Sequence, residues 1–303
     1  MKIIKNSVHT LDRFQRRHKP LAFTFAVIKK YNEDDAGYKA ALFTYYAFLS
    51  LFPLLLILTT LTGLFAMSHP EVTQEIVQGA TDYYPVLGTQ LADHINGLRG
   101  TGVALIIGLL FSLYGARGVA EALQYGIQHI WGVKRSERLT FPASALNSLK
   151  LIIIGGAGFV LAAVIVGVAS SAGHGLHFKL LAATINFVLL LGLFTFLIKA
   201  CLPSRICCRR IMPGALVAAI GLVVLQTIGG MVLANELKNL NALYSYFALS
   251  LGLLFWIYVQ AQILFYAVEI AAVSDKKYWP RSLSGKNPTE NDKRAAERLN
   301  LPV

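Results

Sequence analysis

The sequence predicts an all-α integral membrane protein with six transmembrane helices, both termini cytoplasmic, and a short extracytoplasmic helical insert between helices 1 and 2. Three observations carry that expectation. Hydrophobic residues fill 55% of the 303 positions and charged residues only 15%, against about 25% charge in soluble domains. Six apolar runs reach the roughly 20 residues a helix needs to cross a bilayer. The cations, finally, are segregated. Nine lysines and arginines lie at or before Lys39, four in 134–150, four in 199–210 and seven after Asp275, so that 24 of the 28 share one side of the expected membrane. The positive-inside rule puts that side, with both chain ends, in the cytoplasm. The net charge of +12 therefore reports orientation and contact with anionic lipid heads, and no nucleic-acid partner is expected.

Residues 1–38 form a basic, interfacial cytoplasmic segment. Phe14, Leu21, Phe25 and Ile28 recur at loosely helical spacing, predicting an amphipathic helix lying on the membrane surface. Asn32, with Asp35 three residues on, offers an N-cap to the next helix. A six-helix domain over 39–274 follows, with spans at about 39–66, 101–130, 148–171, 180–202, 211–234 and 244–273. Between the first two, Ser68 and Glu71 begin a run of two short amphipathic helices within 68–99 that face away from the cytoplasm. The third span carries Gly158/Ala162 and Ala163/Gly167, pairs of small residues four apart that predict close helix contact at the centre of the bundle. The tail, 275–303, is polar and expected to be partly disordered. Cys201, Cys207 and Cys208 share one short connection without a further ligand, so no metal and no cofactor are expected.

Two polar seams break the apolar pattern. Tyr114, Arg117, Glu121, Gln124 and Gln128 advance by three, four, three and four, and Tyr258, Gln262, Tyr266 and Glu269 by four, four and three. Each set lies on one helix face. Lipid offers such groups no partners, so they must face protein or water. Arg117 and Glu121 are also spaced to neutralise each other. In the expected topology Tyr45, Tyr46, Arg117, Glu121, Gln262 and Glu269 all fall in the cytoplasmic half, which predicts one polar cavity opening inward. Tyr114, Arg117, Glu121, Gln124, Gln262, Glu269, Tyr45 and Tyr46 are its candidate substrate-binding residues, and no catalytic residue is assigned. Arg117 would attract a phosphate or carboxylate. Transport or translocation of a solute, ion or lipid is the leading expectation. The alternatives are a membrane scaffold, assembly or envelope-integrity factor and, remotely, a ribonuclease. No G-x-x-x-x-G-K-[ST] loop is present for ATP.

Three stretches resemble the YihY/BrkB family of bacterial inner-membrane proteins, formerly labelled ribonuclease BN. They are AALFTYYAFLSLFPLLLIL at 40–58, SLYGARGVAEAL closing on IWGV, and LP…MPGALVAAI together with YSYFALSLGLLFWIYVQAQILFYAVEI. They stand in the family's order across about residues 33–273. Two positions depart: Phe255-Trp256 replaces Leu-Trp, and Tyr266 stands where the last motif has glycine. The resemblance implies a six-span fold in the bacterial inner membrane with an extracytoplasmic insert, and no secure activity.

Overall fold

In the computed structural model the described residues are 12, 14–66, 102–170, 176–236, 242–283 and 288–299. The expected insert within 68–99 lies outside them. Among the described residues the regular elements are helices: α1 (Lys19–Glu33), α2 (Ala36–Ala66), α3 (Gly102–Ile130), α4 (Ala143–Ser170), α5 (Leu176–Cys201), α6 (Cys208–Glu236), α7 (Ala242–Lys276) and α8 (Glu290–Leu299), with one 3-10 turn at Arg135–Glu137. Four stretches among them are long and apolar enough to cross a membrane: Ala143–Val168, Leu180–Cys201, Cys208–Ile228 and Ser250–Lys276.

The helix ends follow local chemistry. Asn32 does not cap α2; it lies inside α1, and the chain turns instead at Asp34 and Asp35. Asp35 takes a left-handed φ of 50°, a conformation that aspartate tolerates better than most residues. At the end of α3, Gly132 adopts φ 64°. The Val133 N–H reaches back to the Gln128 carbonyl at 2.8 Å and that of Gly132 to His129 at 2.9 Å, the paired bonds of a Schellman cap. The IWGV signature is thus a helix stop.

The six long helices pack in a closed ring, α2 against α3, α3 against α4, and so on to α7, which returns to α2. The tightest seam is α2–α3. A Cβ placed on Gly115 would lie 2.6 Å from the Ser50 Cβ, and one on Gly118 would strike the Tyr46 ring. The central position expected for α4 is not observed. Only 22% of its apolar stretch is buried, against 44% in α7. Its small residues seat one face on α5, where Gly158 meets Leu193, and the remaining surface, including Ile153 and Val160, stays exposed.

α1 and the described residues after α7 form a collar at one end of the ring. Of the stripe expected to face the membrane interface, Phe14, Leu21 and Ile28 are exposed and Phe25 half-buried, while Ala22, Ala26, Val27, Lys30 and Tyr31 form the buried face of α1. The small residues allow α1 to pack on α7, beside Val273. The tail is likewise more ordered than its composition predicts. Arg281, 2% exposed, makes two bonds to the Glu33 carboxylate at 2.7 and 2.9 Å and one to Asp292 at 3.0 Å. Asp292 also accepts from Lys29 at 2.8 Å and from the backbone N–H groups of Ser282 and Thr289, both at 2.9 Å. Hydrophilic residues order here because each finds a charged partner, which composition alone does not reveal.

Burial works to raise the Asp292 pKa, but the Lys29 ammonium and the Ser282 and Thr289 donors outweigh it and hold the carboxyl well below the usual range. A depressed pKa contributes stability that is complete above the unfolded value and lost as pH falls toward the folded one. Thermal unfolding in detergent should therefore show Asp292→Asn less stable than the parent at neutral pH. The gap should close as pH drops below about 4. A gap that is constant from pH 7 to pH 3 would mean that Asp292 acts through packing rather than charge.

Candidate functional site

All six long helices contribute to one central chamber of about 500 Å³. Phe43 and Ala47 come from α2, Ala116 and Ala120 from α3, Gly155 and Phe159 from α4, Phe194 from α5, Ala218 from α6 and Ile257 from α7. Among the described residues lining it, only Ser50, Ser112 and Gln260 bear polar side chains. The chamber is therefore a place for apolar groups. The inward-opening polar cavity expected from the two seams is not what the ring encloses.

The seam residues go to three places. Tyr114, Arg117 and Glu121 turn to the outer surface. The Arg117 Nε–H donates to Glu121 at 2.8 Å, with the two side chains 61% and 49% exposed. Arg117 lies within one residue of the midpoint of α3, and each member of the pair directly follows a chamber-lining alanine, Ala116 or Ala120. One turn further on, α4 covers the same face of α3. Gln124 donates to Ser148 at 2.9 Å and accepts from Asn147 at 2.9 Å, while Gln128 donates to the Cys201 carbonyl at 3.1 Å. These amides join helices. Tyr45 is exposed, and Tyr46 packs on Gly118.

The α7 seam faces α1 rather than α3. Tyr31 lies flat on Tyr266, ring centroids 3.9 Å apart and planes 5° from parallel. Its hydroxyl donates to the Gln262 oxygen, and the Gln262 amide donates in turn to the Tyr258 hydroxyl. Tyr266, the position where the resemblance has glycine, thus fills a gap with an aromatic stack. Burial, then the phenols of Tyr266 and Tyr258 and the Glu269 carboxylate, push the Tyr31 phenol up; the bond to Gln262 opposes this only in part. Tyr31 therefore remains a proton donor at physiological pH.

Glu269 is fully buried and bound to a residue the sequence reading passed over. The Lys30 Nζ lies 2.6 Å from Asp34 and 2.6 Å from Glu269, and donates to the Ile130 carbonyl at 3.0 Å. An ammonium has three N–H donors, and all three are used. The Ile130 carbonyl sits at the C-terminal end of α3, where the helix dipole also favours a cation. Lys39 completes the cluster by donating to the Asp34 backbone carbonyl. Two cations thus face two carboxylates at the junction of α1, α2, α3 and α7. The available signal was the stripe Ala22, Ala26, Val27 and Lys30, in which one lysine interrupts a small, apolar helix face.

The virulence factor BrkB family matches residues 27–292. This chain belongs to the BrkB family. The matched range reaches from Val27 in α1 to Asp292 in the tail and so takes in the whole buried cluster. Among BrkB-related proteins, the ribonuclease-like protein YfkH of Bacillus subtilis (strain 168) is 24% identical over 286 residues, covering 88% of this chain and 99% of that protein. No solved structure matches the chain. Among the described residues of this BrkB protein no three His, Cys, Asp or Glu side chains come together as a metal site.

Removing one partner from a buried ionic cluster leaves an uncompensated charge. Lys30→Met should lower stability by roughly 3–5 kcal/mol, whereas Glu269→Gln, which leaves Asp34 on Lys30, should cost less. Lys30→Met combined with Glu269→Gln should recover part of the loss. Thermal melts followed by size-exclusion chromatography would check the order. A double variant worse than the sum of the singles would refute the coupling.

Proposed function

We propose that this BrkB-family membrane protein crosses the bilayer six times with both ends cytoplasmic, and that it translocates an amphiphile of the lipid class. The observation that carries this reading is the apolar central chamber with a charged pair beside its wall. An acyl chain suits a chamber whose lining is almost wholly carbon. The Arg117 guanidinium, with donors beyond the one given to Glu121, suits a phosphate or carboxylate head. Charges facing hydrocarbon are costly, so an exposed pair midway along α3 calls for a polar partner. An amphiphile entering sideways between α3 and α4 would supply one. A small solute or ion fits the lining less well.

The scaffold reading is favoured by a different observation, since the amides of Gln124, Gln128 and Asn147 serve contacts between helices. The ribonuclease-like name belongs to YfkH. In this chain the two carboxylates of the seams, Glu121 and Glu269, are each bound to a cation, which suits charge balance better than acid–base chemistry.

Topology can be read without mutation. Cys207 and Cys208 are exposed on the side proposed to be cytoplasmic. A membrane-impermeant maleimide should label them only after intact cells are permeabilised; labelling before permeabilisation would invert the orientation.

Function can be read in proteoliposomes containing fluorescent phosphatidylglycerol, with dithionite quenching of the outer leaflet. The parent should exchange lipid faster than protein-free vesicles. Ala116→Trp, which fills the chamber, and Arg117→Gln should fall to the protein-free rate while still folding. The swap of Arg117→Glu with Glu121→Arg should fold and fail, because the positive charge moves about 6 Å along the helix. A fully active swap would reduce the pair to architecture. An inactive parent would sink the lipid reading, and RNA cleavage lost in Glu121→Gln would replace it with the nuclease one.

A further inference from the structure

A second recess, of about 250 Å³, lies between the C-terminal ends of α3 and α7 and the connection from α5 to α6. Its walls carry Trp131, Arg205, Arg210 and Lys276, with Asp275 as the single carboxylate among them. We propose that this recess binds a phosphate group at the cytoplasmic membrane face, the head of an anionic lipid or a free phosphate.

Three features of the recess point to an anion. The first is Trp131. Its side chain is 3% exposed, and its indole Nε1 has no hydrogen-bond partner among the described residues. An indole nitrogen only donates, so the partner it lacks is an acceptor; the nitrogen lies behind the recess wall, closed to water, and an anion reaches it when the ring shifts. The second is that the arginines hold donors in reserve. Arg205 commits one terminal nitrogen to Glu137 at 2.7 Å, and Arg210 reaches Asp275 only at 3.5 Å. That is well beyond the 2.7–2.9 Å or so of a strong charge-assisted bond. Lys276 is held in place by the Trp131 carbonyl at 2.5 Å, which fixes its ammonium at the recess. The third is the surroundings. Lys134, Arg135, Arg138, Arg209 and Lys277 lie in the same connections, and basic recesses between helices on the cytoplasmic side suit lipid phosphates. The recess shares no residue with the central chamber, so it stands or falls independently of lipid translocation.

The Arg210–Asp275 contact sets the decisive test. If that pair merely holds α6 on α7, Asp275→Asn should leave anion binding unchanged or weaken it. If the recess takes a phosphate, Asp275→Asn removes the one repulsive charge, frees Arg210, and should tighten binding. The experiment is native mass spectrometry of the full-length detergent-solubilised protein with phosphatidylglycerol and with phosphatidylcholine, alongside calorimetric titration with inorganic phosphate. Arg210→Gln should weaken phosphatidylglycerol binding roughly tenfold, the loss of one charged hydrogen bond. Trp131→Phe, which keeps a ring but removes the N–H, should weaken it to a lesser degree. Lys134→Gln and Arg209→Gln remove equal charge outside the recess and should have far smaller effects. Retention of phosphatidylglycerol with no response to phosphate identifies a lipid head, and binding of phosphate alone identifies a soluble source; both support the site. Equal losses in Arg210→Gln and Lys134→Gln, unchanged or weaker binding in Asp275→Asn, or binding of neither phosphatidylglycerol nor phosphate, overturn it.

Discussion

A single ammonium group, the Nζ of Lys30, holds the collar end of the bundle together. It is 1% exposed, and its three bonds end on three different elements: Asp34 in the turn after its own helix, Ile130 at the end of α3, and Glu269 on α7. A lone buried charge is among the most unfavourable things a fold can contain. The geometry that neutralises this one admits little variation. α1 must lie on α7, α3 must end where it does, and the Asp34–Asp35 turn must present its carboxylate inward. The Gly132 cap, which stops α3 one residue past Trp131, is part of the same requirement. Further out, Arg281 repeats the arrangement with Glu33 and Asp292.

Inside the ring the logic reverses. The chamber is bounded by alanine, glycine, leucine and phenylalanine, and the polar residues of the long helices are used at contacts between helices or turned outward. Gln124 and Asn147 bond each other, and Gln128 and Asn147 donate to carbonyls of α5, as polar groups must where water is absent. Arg117 and Glu121 follow neither pattern, being paired with each other and otherwise open. A bundle with its polar groups at the seams and an apolar centre is suited to holding hydrocarbon, whatever use the cell makes of it.

The helical class and the positions of the long helices were legible because hydropathy over some twenty residues is a strong, local signal. The polar seams were legible as faces, because a period of 3.6 is local too. Which neighbour each face would meet was not. Nothing near Gln262 in sequence announces Tyr31, and nothing near Glu269 announces Lys30; those pairings depend on how α1 folds back. The stripe of Phe14, Leu21 and Ile28 was legible as an outer face, but the packing face behind it was not read. In a protein bordered by lipid, large apolar residues have no obligation to face inward, and small ones such as Ala22 and Ala26 are what close packing selects. The same confusion of small with central placed α4 too deep. The tail failed on composition, since charged residues read as disorder until their partners are known.

The pairing of Lys30 with Glu269 also bears on the order in which the chain is made. The two lie 239 positions apart, and Arg281 lies 248 beyond Glu33. Until α7 is made, Lys30 has only Asp34 and, once α3 is complete, the Ile130 carbonyl for partners, and α1 has no α7 to rest on. The collar can close only when the last long helix and the segment behind it have left the ribosome. Neutralisation of the buried charge is therefore a late event that reports completion of the whole chain. A product ending before α7 would carry its first helix unseated, with Lys30 and its neighbours open to water. The seat of the first helix is thus written into residues near one end of the sequence and completed only by residues near the other.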